Sequence, residues 1–294
     1  MNRNKNSIHK SVGMLVLLAA LAGNAQAQAT YASADEAARA FVHALSVNDP
    51  QALGTVLGAN WRRFIPTAGV DHDDVVGFLG AWAKSNRIVT EGKAAHLQVG
   101  PQNWQLPIPI VQGGKGWRFD TQAAADEIRT RRIGRNELEA MKALLATYDA
   151  QKEYATADRK GDGVLQYAQR YTSTPGKKDG LYWASLPGEP PSPAGPLFDD
   201  AVSGNGYHGY RYRLLMAQGR NAPGGAYDYR IKGRLVAGFA VIAYPARYGD
   251  TGVMSFMVSH DGKMYEKDLG PNSAAVAKAL TRFDPDASWK QVQP

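Results

Sequence analysis

The stretch YDYRIKGRLVAGFAVIAYPARYGDTGVMSFMVSHDGKMYEKDLG, residues 227–270, decides the fold of this chain. Residues 235–244 form a nearly continuous apolar run, and their valine, isoleucine and aromatic side chains suit a pleated, half-buried surface. Pro245 closes the run because proline lacks the N–H that a β-ladder needs. A second run, residues 253–259, is joined to residues 263–265 by Asp261-Gly262, a pair that favours a hairpin because both positions tolerate positive φ.

One more strand is predicted upstream of this stretch. Four apolar residues alternate there with Arg211 and Arg213, which separates an apolar face from a basic one. The apolar residues are Tyr210, Tyr212, Leu214 and Met216. The whole pattern predicts an antiparallel meander of four or five strands.

A long helix is expected to pack on this meander. We predict one helix over residues 120–132, ended by Gly134, and a second over residues 136–158 that Asn136 caps together with Glu139. A helix of this length gains most of its stability from packing an apolar stripe against a neighbour. The predicted stripe is Leu138, Met141, Leu144 or Leu145, and Tyr148.

The segment before these helices predicts a small α+β subdomain. Residues 31–49, 50–57 and 71–84 have helical periodicity, and Ser33 with Glu36 forms a capping box at the start of the first. Four strand-like runs follow, at residues 88–91, 94–99, 104–111 and 117–119. Their order suggests a cone like that of nuclear transport factor. We therefore predict an α+β fold with subdomains at residues 28–133 and 134–294.

The first 27 residues have the pattern of a bacterial signal peptide. A basic start with Arg3, Lys5 and Lys10 precedes a short apolar segment, residues 12–21, and an A-x-A cleavage site that ends at Ala27. The expected mature protein is periplasmic or secreted, with no stable membrane span after cleavage. An uncleaved anchor is the alternative.

Composition limits the kinds of function that this chain can have. It contains no cysteine, which excludes disulfides, thiolate metal sites and a cysteine nucleophile. Without the three basic residues of the predicted signal, 34 Lys and Arg become 31 against 27 acidic residues, a net charge of +4. The basic cluster at Arg129, Arg131, Arg132 and Arg135 lacks the interleaved aromatics of a nucleic-acid site and is expected to be a solvated helix end.

Three short motifs contain residues typical of metal or catalytic sites, but each favours a structural role. Asp158 to Gly163 resembles a calcium loop with Lys160 at the third position and no glutamate at the twelfth. The acidic run at residues 71–74 suits the first turn of a helix. Residues 259–261, Ser-His-Asp, are consecutive and cannot converge as a triad. We predict no catalytic residue, metal or cofactor.

The sequence GNGYHGYRY, residues 204–212, is the most unusual local cluster. Aromatic faces with a few polar groups suit a sugar or peptide ligand. With Asp179 nearby, five residues are the candidate ligand-binding set: Tyr182, Trp183, Tyr207, His208 and Tyr210. The alternative is a strand that enters the sheet with its tyrosines packed at the rim. A long proline-rich tract, residues 172–205, precedes this cluster and shares its first two residues. Its aromatic residues Tyr182 and Trp183 indicate that the tract packs against the rest of the protein.

Several stretches resemble a bacterial exported family known as domain of unknown function 2950. They are residues 117–140, 148–170, 173–183 (STPGKKDGLYW), 187–197 (PGEPPSPAGPL), 222–270 and 281–289. The resemblance covers most of the chain after the predicted signal and implies no activity.

The C-terminal half also resembles the globular part of type II secretion pseudopilins, with a long helix, a loop and a meander. The matching residues are Gly238, Ala243, Pro245, Gly249, Gly252, Ser255, Phe256, Val258, Gly262 and Tyr265. A whole module intervenes between the N-terminus and the helix, so a transmembrane stem is not expected.

Three functional hypotheses remain open. The first, which we favour, is a non-enzymatic envelope module that binds another envelope or secreted protein. The second is a glycan- or peptide-binding protein that uses the aromatic set, and the third is a hydrolase built from Asp179, His208 and Asp228. No nucleic-acid partner is expected.

Overall fold

The computed structural model describes residues 27–65, 70–195 and 206–293. The chain divides into two compact units, one up to Ala124 and one from Ala125 onward. In both units helices accompany antiparallel sheets, which confirms the predicted α+β class. No helix within these ranges is long and apolar enough to cross a membrane. Residues 1–26 of the predicted signal segment lie outside the described residues.

The first unit combines three helices with one antiparallel sheet. The helices are α1 (Ala34–Ser46), α2 (Pro50–Leu57) and α3 (His72–Lys84), and a 3-10 turn covers Trp61–Arg63. The strands are β1 (Asn86–Glu91), β2 (Ala94–Val99), β3 (Trp104–Gln105), β4 (Ile110–Gly113) and β5 (Gly116–Phe119). They are ordered β1-β2-β4-β5, and β3 pairs with β2. Leu97, Ile110 and Phe119 of this sheet are fully buried in the core.

Side-chain caps mark the starts of α1 and α3, and the predicted cap at Ser33 is confirmed. The Ser33 hydroxyl accepts from the Glu36 N–H at 3.1 Å, and Glu36 reaches back to the Ala32 N–H. Asp71 and Asp74 form a reciprocal capping box, so the acidic run has the predicted structural role. These caps could be predicted because they depend on residues within one helical turn.

The second unit is built on a five-stranded sheet. Its strands are β6 (Tyr210–Leu215), β11 (Ala240–Pro245), β12 (Met254–Ser259), β13 (Met264–Asp268) and β14 (Lys290–Val292), in the order β14-β13-β12-β11-β6. Two short ladders pair β7 (Ala217–Gln218) with β8 (Tyr227–Asp228) and β9 (Arg230–Ile231) with β10 (Arg234–Leu235). A helix, α5 (Ser273–Ala279), precedes β14. The predicted meander is therefore present.

The long helix differs from the prediction. One continuous helix, α4 (Thr121–Tyr154), replaces the two that were expected on either side of Gly134. A glycine inside a helix costs about 1 kcal/mol relative to alanine, too little to end a helix that is held by packing. Asn136 does not cap a helix start, because its side-chain amide donates to the Thr251 carbonyl at 2.9 Å.

The buried stripe of α4 is also partly different from the predicted one. Met141 and Leu144 are buried as expected, but Leu138 is 54% exposed. The buried face also contains Thr147 and Gln151, and Glu137 is half-buried; the polar atoms of all three bond to backbone groups. Apolar periodicity does not predict that Thr147 and Gln151 lie on this face, because both side chains are polar.

Two predicted strands are divided in the structure. Residues 104–111 split into β3 and β4 around Pro107 and Pro109. Residues 235–244 split into β10 and β11, with Gly238 at a φ of +147° between them. A Cβ at Gly238 would lie 2.7 Å from His260 Nδ1, so the close packing of that histidine requires glycine there.

Candidate functional site

A folded loop, residues 170–183, forms one wall of the candidate site. The Leu181 N–H donates to the Arg170 carbonyl at 3.2 Å and the Tyr182 N–H to the Tyr171 carbonyl at 2.8 Å. The Ser173 N–H donates to the Tyr182 carbonyl at 2.8 Å. These bonds form a parallel bridge between the two ends of the loop. Gly180 fits here because a Cβ would lie 2.7 Å from backbone atoms of residues 172 and 173.

The tip of this loop is a tight turn followed by a carboxylate that closes it. Pro175 and Gly176 lie at the centre of the turn, where Gly176 has a φ of +76° and the Lys177 N–H donates to the Thr174 carbonyl at 2.9 Å. This Pro-Gly pair is typical of a type II turn. Asp179 then accepts from both the N–H and the hydroxyl of Thr174, at 2.8 and 2.9 Å.

The ionisation of Asp179 depends on this local network. Partial burial raises the pKa of the carboxyl group, but the hydrogen bonds from Thr174 and the charge of Arg170 lower it by more. The Arg170 guanidinium lies 3.9 Å from the carboxylate. The net pKa of Asp179 is below its ordinary value, so the loop is closed by an ionised group at neutral pH.

The C-terminal turn of α4 anchors the same loop. Tyr154 is fully buried, and its hydroxyl donates to the Lys178 carbonyl at 2.8 Å. Burial raises the pKa of Tyr154 to about 12, so the hydroxyl remains protonated and able to donate at neutral pH. The rigid helix thus fixes the backbone between the two lysines of the loop, Lys177 and Lys178.

Trp183 lies under two cations. Its side chain is 7% exposed, and the guanidinium of Arg159 and the ammonium of Lys178 lie 5.6 and 5.7 Å from its ring centroid. Such distances are within the range of cation–π attraction. The Lys178 ammonium also forms an ion pair with the Glu189 carboxylate at 3.4 Å. The indole Nε1 of Trp183 has no hydrogen-bond partner among the described residues.

These groups surround a surface pocket of about 410 Å³, a volume suited to a small ligand. Tyr182 and Trp183 contribute its aromatic surface, Lys177 is exposed, and Leu186 at the edge is 68% exposed. Thr172, Ser173 and Thr174 add hydroxyl groups to the lining. The described lining is Thr172, Ser173, Thr174, Pro175, Gly176, Lys177, Lys178, Tyr182, Trp183, Ala184, Leu186 and Glu189.

The structure gathers two of the five predicted ligand-binding residues in this pocket. Tyr182 and Trp183 line it, whereas the other three are not among its described lining. Tyr210 is buried in the sheet and donates to the Met254 carbonyl at 2.8 Å. The Tyr207 ring lies 4.1 Å from the ring of His208, which is exposed. Sequence reasoning missed Lys177 and Lys178, although they directly follow a recognisable Pro-Gly turn.

The three residues of the hydrolase hypothesis each have a different environment. Asp179 closes the loop described above, and Asp228 forms an ion pair with Arg230 at 2.8 Å. The hydrogen bonds from Arg230 lower the pKa of Asp228 to about 2. His208 lies in a turn with a φ of +50°. No described contact joins any two of the three.

The Asp158 loop is closed by its own backbone. The Asp158 carboxylate accepts from the N–H groups of residues 161, 162 and 163 at 2.8 to 3.2 Å. Asp162 pairs with Arg234 at 3.0 Å. These carboxylates therefore serve the turn after α4. Within the described parts of the chain, no group of three or more His, Cys, Asp or Glu side chains is placed to hold a metal.

The Ser-His-Asp sequence at the β12–β13 hairpin is not a triad. The Ser259 hydroxyl donates directly to the Asp261 carboxylate, without the histidine between them. His260 points elsewhere, with its Nε2 3.3 Å from the Tyr227 hydroxyl and its ring against Tyr229. The three consecutive residues of this hairpin thus do not converge on one site.

Comparison with known proteins identifies the family. A family model described as "Protein of unknown function (DUF2950)" matches residues 28–292, so the chain belongs to this family. No curated protein and no solved structure matches the chain. The resemblance to pseudopilin globular domains is not confirmed.

Proposed function

We propose that this DUF2950 protein is an exported, non-enzymatic binding protein whose ligand occupies the pocket at Trp183. The observation that carries the proposal is the position of that indole, buried under two cations and beside Tyr182 in a pocket of about 410 Å³. Large aromatic surfaces with a few polar groups at fixed positions are typical of ligand sites.

The pocket is preorganised, which favours binding. The parallel bridge, the Asp179–Thr174 bonds and the Tyr154–Lys178 bond hold its wall. A loop that is already ordered loses little conformational entropy when a ligand binds, so more of the contact energy contributes to affinity.

The charges of the pocket favour a ligand with a carboxylate. The Lys177 ammonium is exposed and has no ion pair among the described residues, while Lys178 is shared with Glu189. Threonine and serine residues also line the pocket, and hydroxyl groups can bond to a sugar or to a peptide backbone. We infer that the ligand is a short acidic peptide or a peptide-bearing glycan of the cell envelope, free or as part of a larger partner.

Export is proposed from the N-terminal sequence. The apolar segment and the A-x-A site end at Ala27, and the match to the family model begins at residue 28, next to the predicted cleavage point. N-terminal sequencing of the protein from a periplasmic or culture fraction should begin at Gln28. Recovery from the cytoplasm with the first 27 residues intact would contradict export.

The binding test follows the indole N–H of Trp183 by nitrogen-15 NMR. The probes are acidic tripeptides and soluble peptidoglycan fragments, and the Trp183→Phe variant assigns the resonance. We expect a saturable shift that Tyr182→Ala and Lys177→Ala weaken. Tyr207→Ala is the matched control, since Tyr207 is not among the described lining, and it should bind like the wild type.

Two results would refute the proposal. One is an unchanged Trp183 resonance with every probe at millimolar concentration. The other is equal weakening by Tyr207→Ala and Tyr182→Ala, which would indicate that the ligand lies elsewhere.

A further inference from the structure

Among the described strands, β1 is at the edge of the sheet in the first unit. It pairs with β2 in register from Asn86–Val99 to Glu91–Ala94 and is last in the strand order. Four of its six residues are exposed. An edge strand carries unpaired backbone groups that can bind another strand.

The outward-facing backbone groups can be identified from the register. The Gly100 N–H donates to the Ser85 carbonyl at 2.9 Å, so the pair just before the strand is a hydrogen-bonded one. Hydrogen-bonded and non-bonded pairs alternate in an antiparallel ladder. Asn86, Ile88 and Thr90 therefore direct their N–H and C=O groups away from β2.

An independent bond on β2 supports this assignment. The Leu97 carbonyl, opposite Ile88, accepts from the Leu106 N–H on the far side of β2 at 2.8 Å. Leu97 thus directs its backbone away from β1, as its place in a non-bonded pair requires.

The edge lacks three of the features that prevent strand pairing. Its sequence, NRIVTE, contains no proline, lysine or bulge, and Ile88, Val89 and Thr90 are β-branched. The strand is six residues long and is joined to β2 by the two-residue turn Gly92-Lys93. It is suited to pairing with another strand.

The charges on this strand identify its partner. Arg87, Val89 and Glu91 alternate onto one face, and the Arg87 Nε bonds to Gln98 on the same face at 2.8 Å. Neither Arg87 nor Glu91 has an ion pair within the described residues. The strand therefore carries a positive charge at one end and a negative charge at the other, each two residues from Val89.

We propose that two copies of this chain pair antiparallel through β1, about a two-fold axis at Val89. In this register Arg87 lies opposite the partner's Glu91, and Glu91 opposite the partner's Arg87. Ile88 and Thr90 exchange backbone hydrogen bonds with the partner's Thr90 and Ile88, which uses the outward groups identified above. The interface is self-complementary, as a two-fold axis requires.

Helix α3 adds apolar surface on the other face of the same sheet edge. None of its thirteen residues is fully buried, and Val76 is 52% exposed. A Cβ at Gly100 would lie 3.4 Å from Ala81, which places the helix over the β1–β2 end of the sheet. Pairing through β1 would bring the exposed apolar side chains of α3 closer to the partner and reduce the exposure of these side chains.

Charge reversal gives the test. The protein is expressed from its complete sequence, and its mass is measured by sedimentation velocity up to about 0.1 mM, which detects even weak association. The wild type should be a dimer. Arg87→Glu and Glu91→Arg should each halve the mass, because each places like charges opposite one another at both ends of the interface.

Two recombinations make the test specific to this register. An equimolar mixture of Arg87→Glu with Glu91→Arg should restore the dimer, since each charge then meets its opposite. The double variant Arg87→Glu/Glu91→Arg should dimerise by itself, which also shows that substitution at these positions does not unfold the chain. Arg118→Glu, on strand β5 at the opposite edge, is the matched control and should leave the mass unchanged.

A monomeric wild type over the whole concentration range would overturn the proposal. Dimers that persist in both single variants, or single variants that do not recombine while the double variant is folded, would also overturn it, because the interface would then lie elsewhere.

Discussion

Gln151→Leu tests how α4 holds the chain that leads into the pocket. Gln151 is fully buried, and its side-chain amide makes two bonds to the backbone of Ala168: its Nε2 donates to the carbonyl at 2.9 Å, and its Oε1 accepts from the N–H at 2.8 Å. Leucine has a similar volume but can make neither bond. The substitution therefore leaves a buried N–H and a buried C=O without partners.

The size of the effect follows from those two groups. An unsatisfied buried backbone group costs about 1–3 kcal/mol, and burial of the leucine side chain recovers about 1 kcal/mol. With two such groups exposed to this cost, we expect the free energy of unfolding to fall by about 1–5 kcal/mol. For a chain of this size this corresponds to a decrease in Tm of roughly 2–20 °C.

Urea denaturation followed by circular dichroism measures the loss of stability, and hydrogen exchange at the Ala168 amide localises it. Gln122→Leu is the matched control, since Gln122 is an exposed glutamine on the same helix, and its effect should remain within about 0.5 kcal/mol. Equal stability of the two variants, with unchanged protection of Ala168, would refute the role assigned to Gln151.

Two further predictions concern other polar contacts of the second unit. Glu137 Oε1 accepts from the N–H groups of Val253 and Met254, both at 2.9 Å. Glu137→Ala should therefore lower the free energy of unfolding, measured in urea, by about 2–4 kcal/mol, and Glu137→Gln should lower it by less because it keeps an acceptor. Equal losses in the two variants would exclude the acceptor role. Because the pKa of Asp179 is lowered in the folded state, its contribution to stability is present above the unfolded pKa of about 3.9 and is lost as the pH falls through the folded value. The Thr174 amide resonance should therefore shift below about pH 4 in the wild type, and Asp179→Asn should remove that shift; an identical shift in the variant would assign it to another group.

Local sequence determined those elements whose signals lie within a few residues. The capping box at Ser33, the second helix over residues 50–57, the acidic first turn at residues 71–74 and the Asp261-Gly262 hairpin were predicted because each depends on one turn of backbone. The α+β class and the meander followed from changes in apolar periodicity. Family membership could also be recognised from the order of short motifs.

The tertiary structure decided the elements whose partners are distant in sequence. Gly134 does not end α4, because the Asn136 and Glu137 side chains beyond it bond to residues 251, 253 and 254, more than 110 positions away. Leu138 was expected to be buried from periodicity, but the helix instead turns a face with Gln151 inward. No local pattern shows that a glutamine will satisfy the backbone of a distant loop.

The candidate site shows the same division. Tyr182 and Trp183 were identified from the sequence as residues that pack down, and the Pro-Gly turn beside them is a local signal. Only the tertiary structure shows that Tyr154 anchors the loop of this pocket and that Tyr207 and His208 are not among its described lining. Composition and spacing thus determined which side chains were available for a site, whereas contacts between distant segments determined which of them share a pocket.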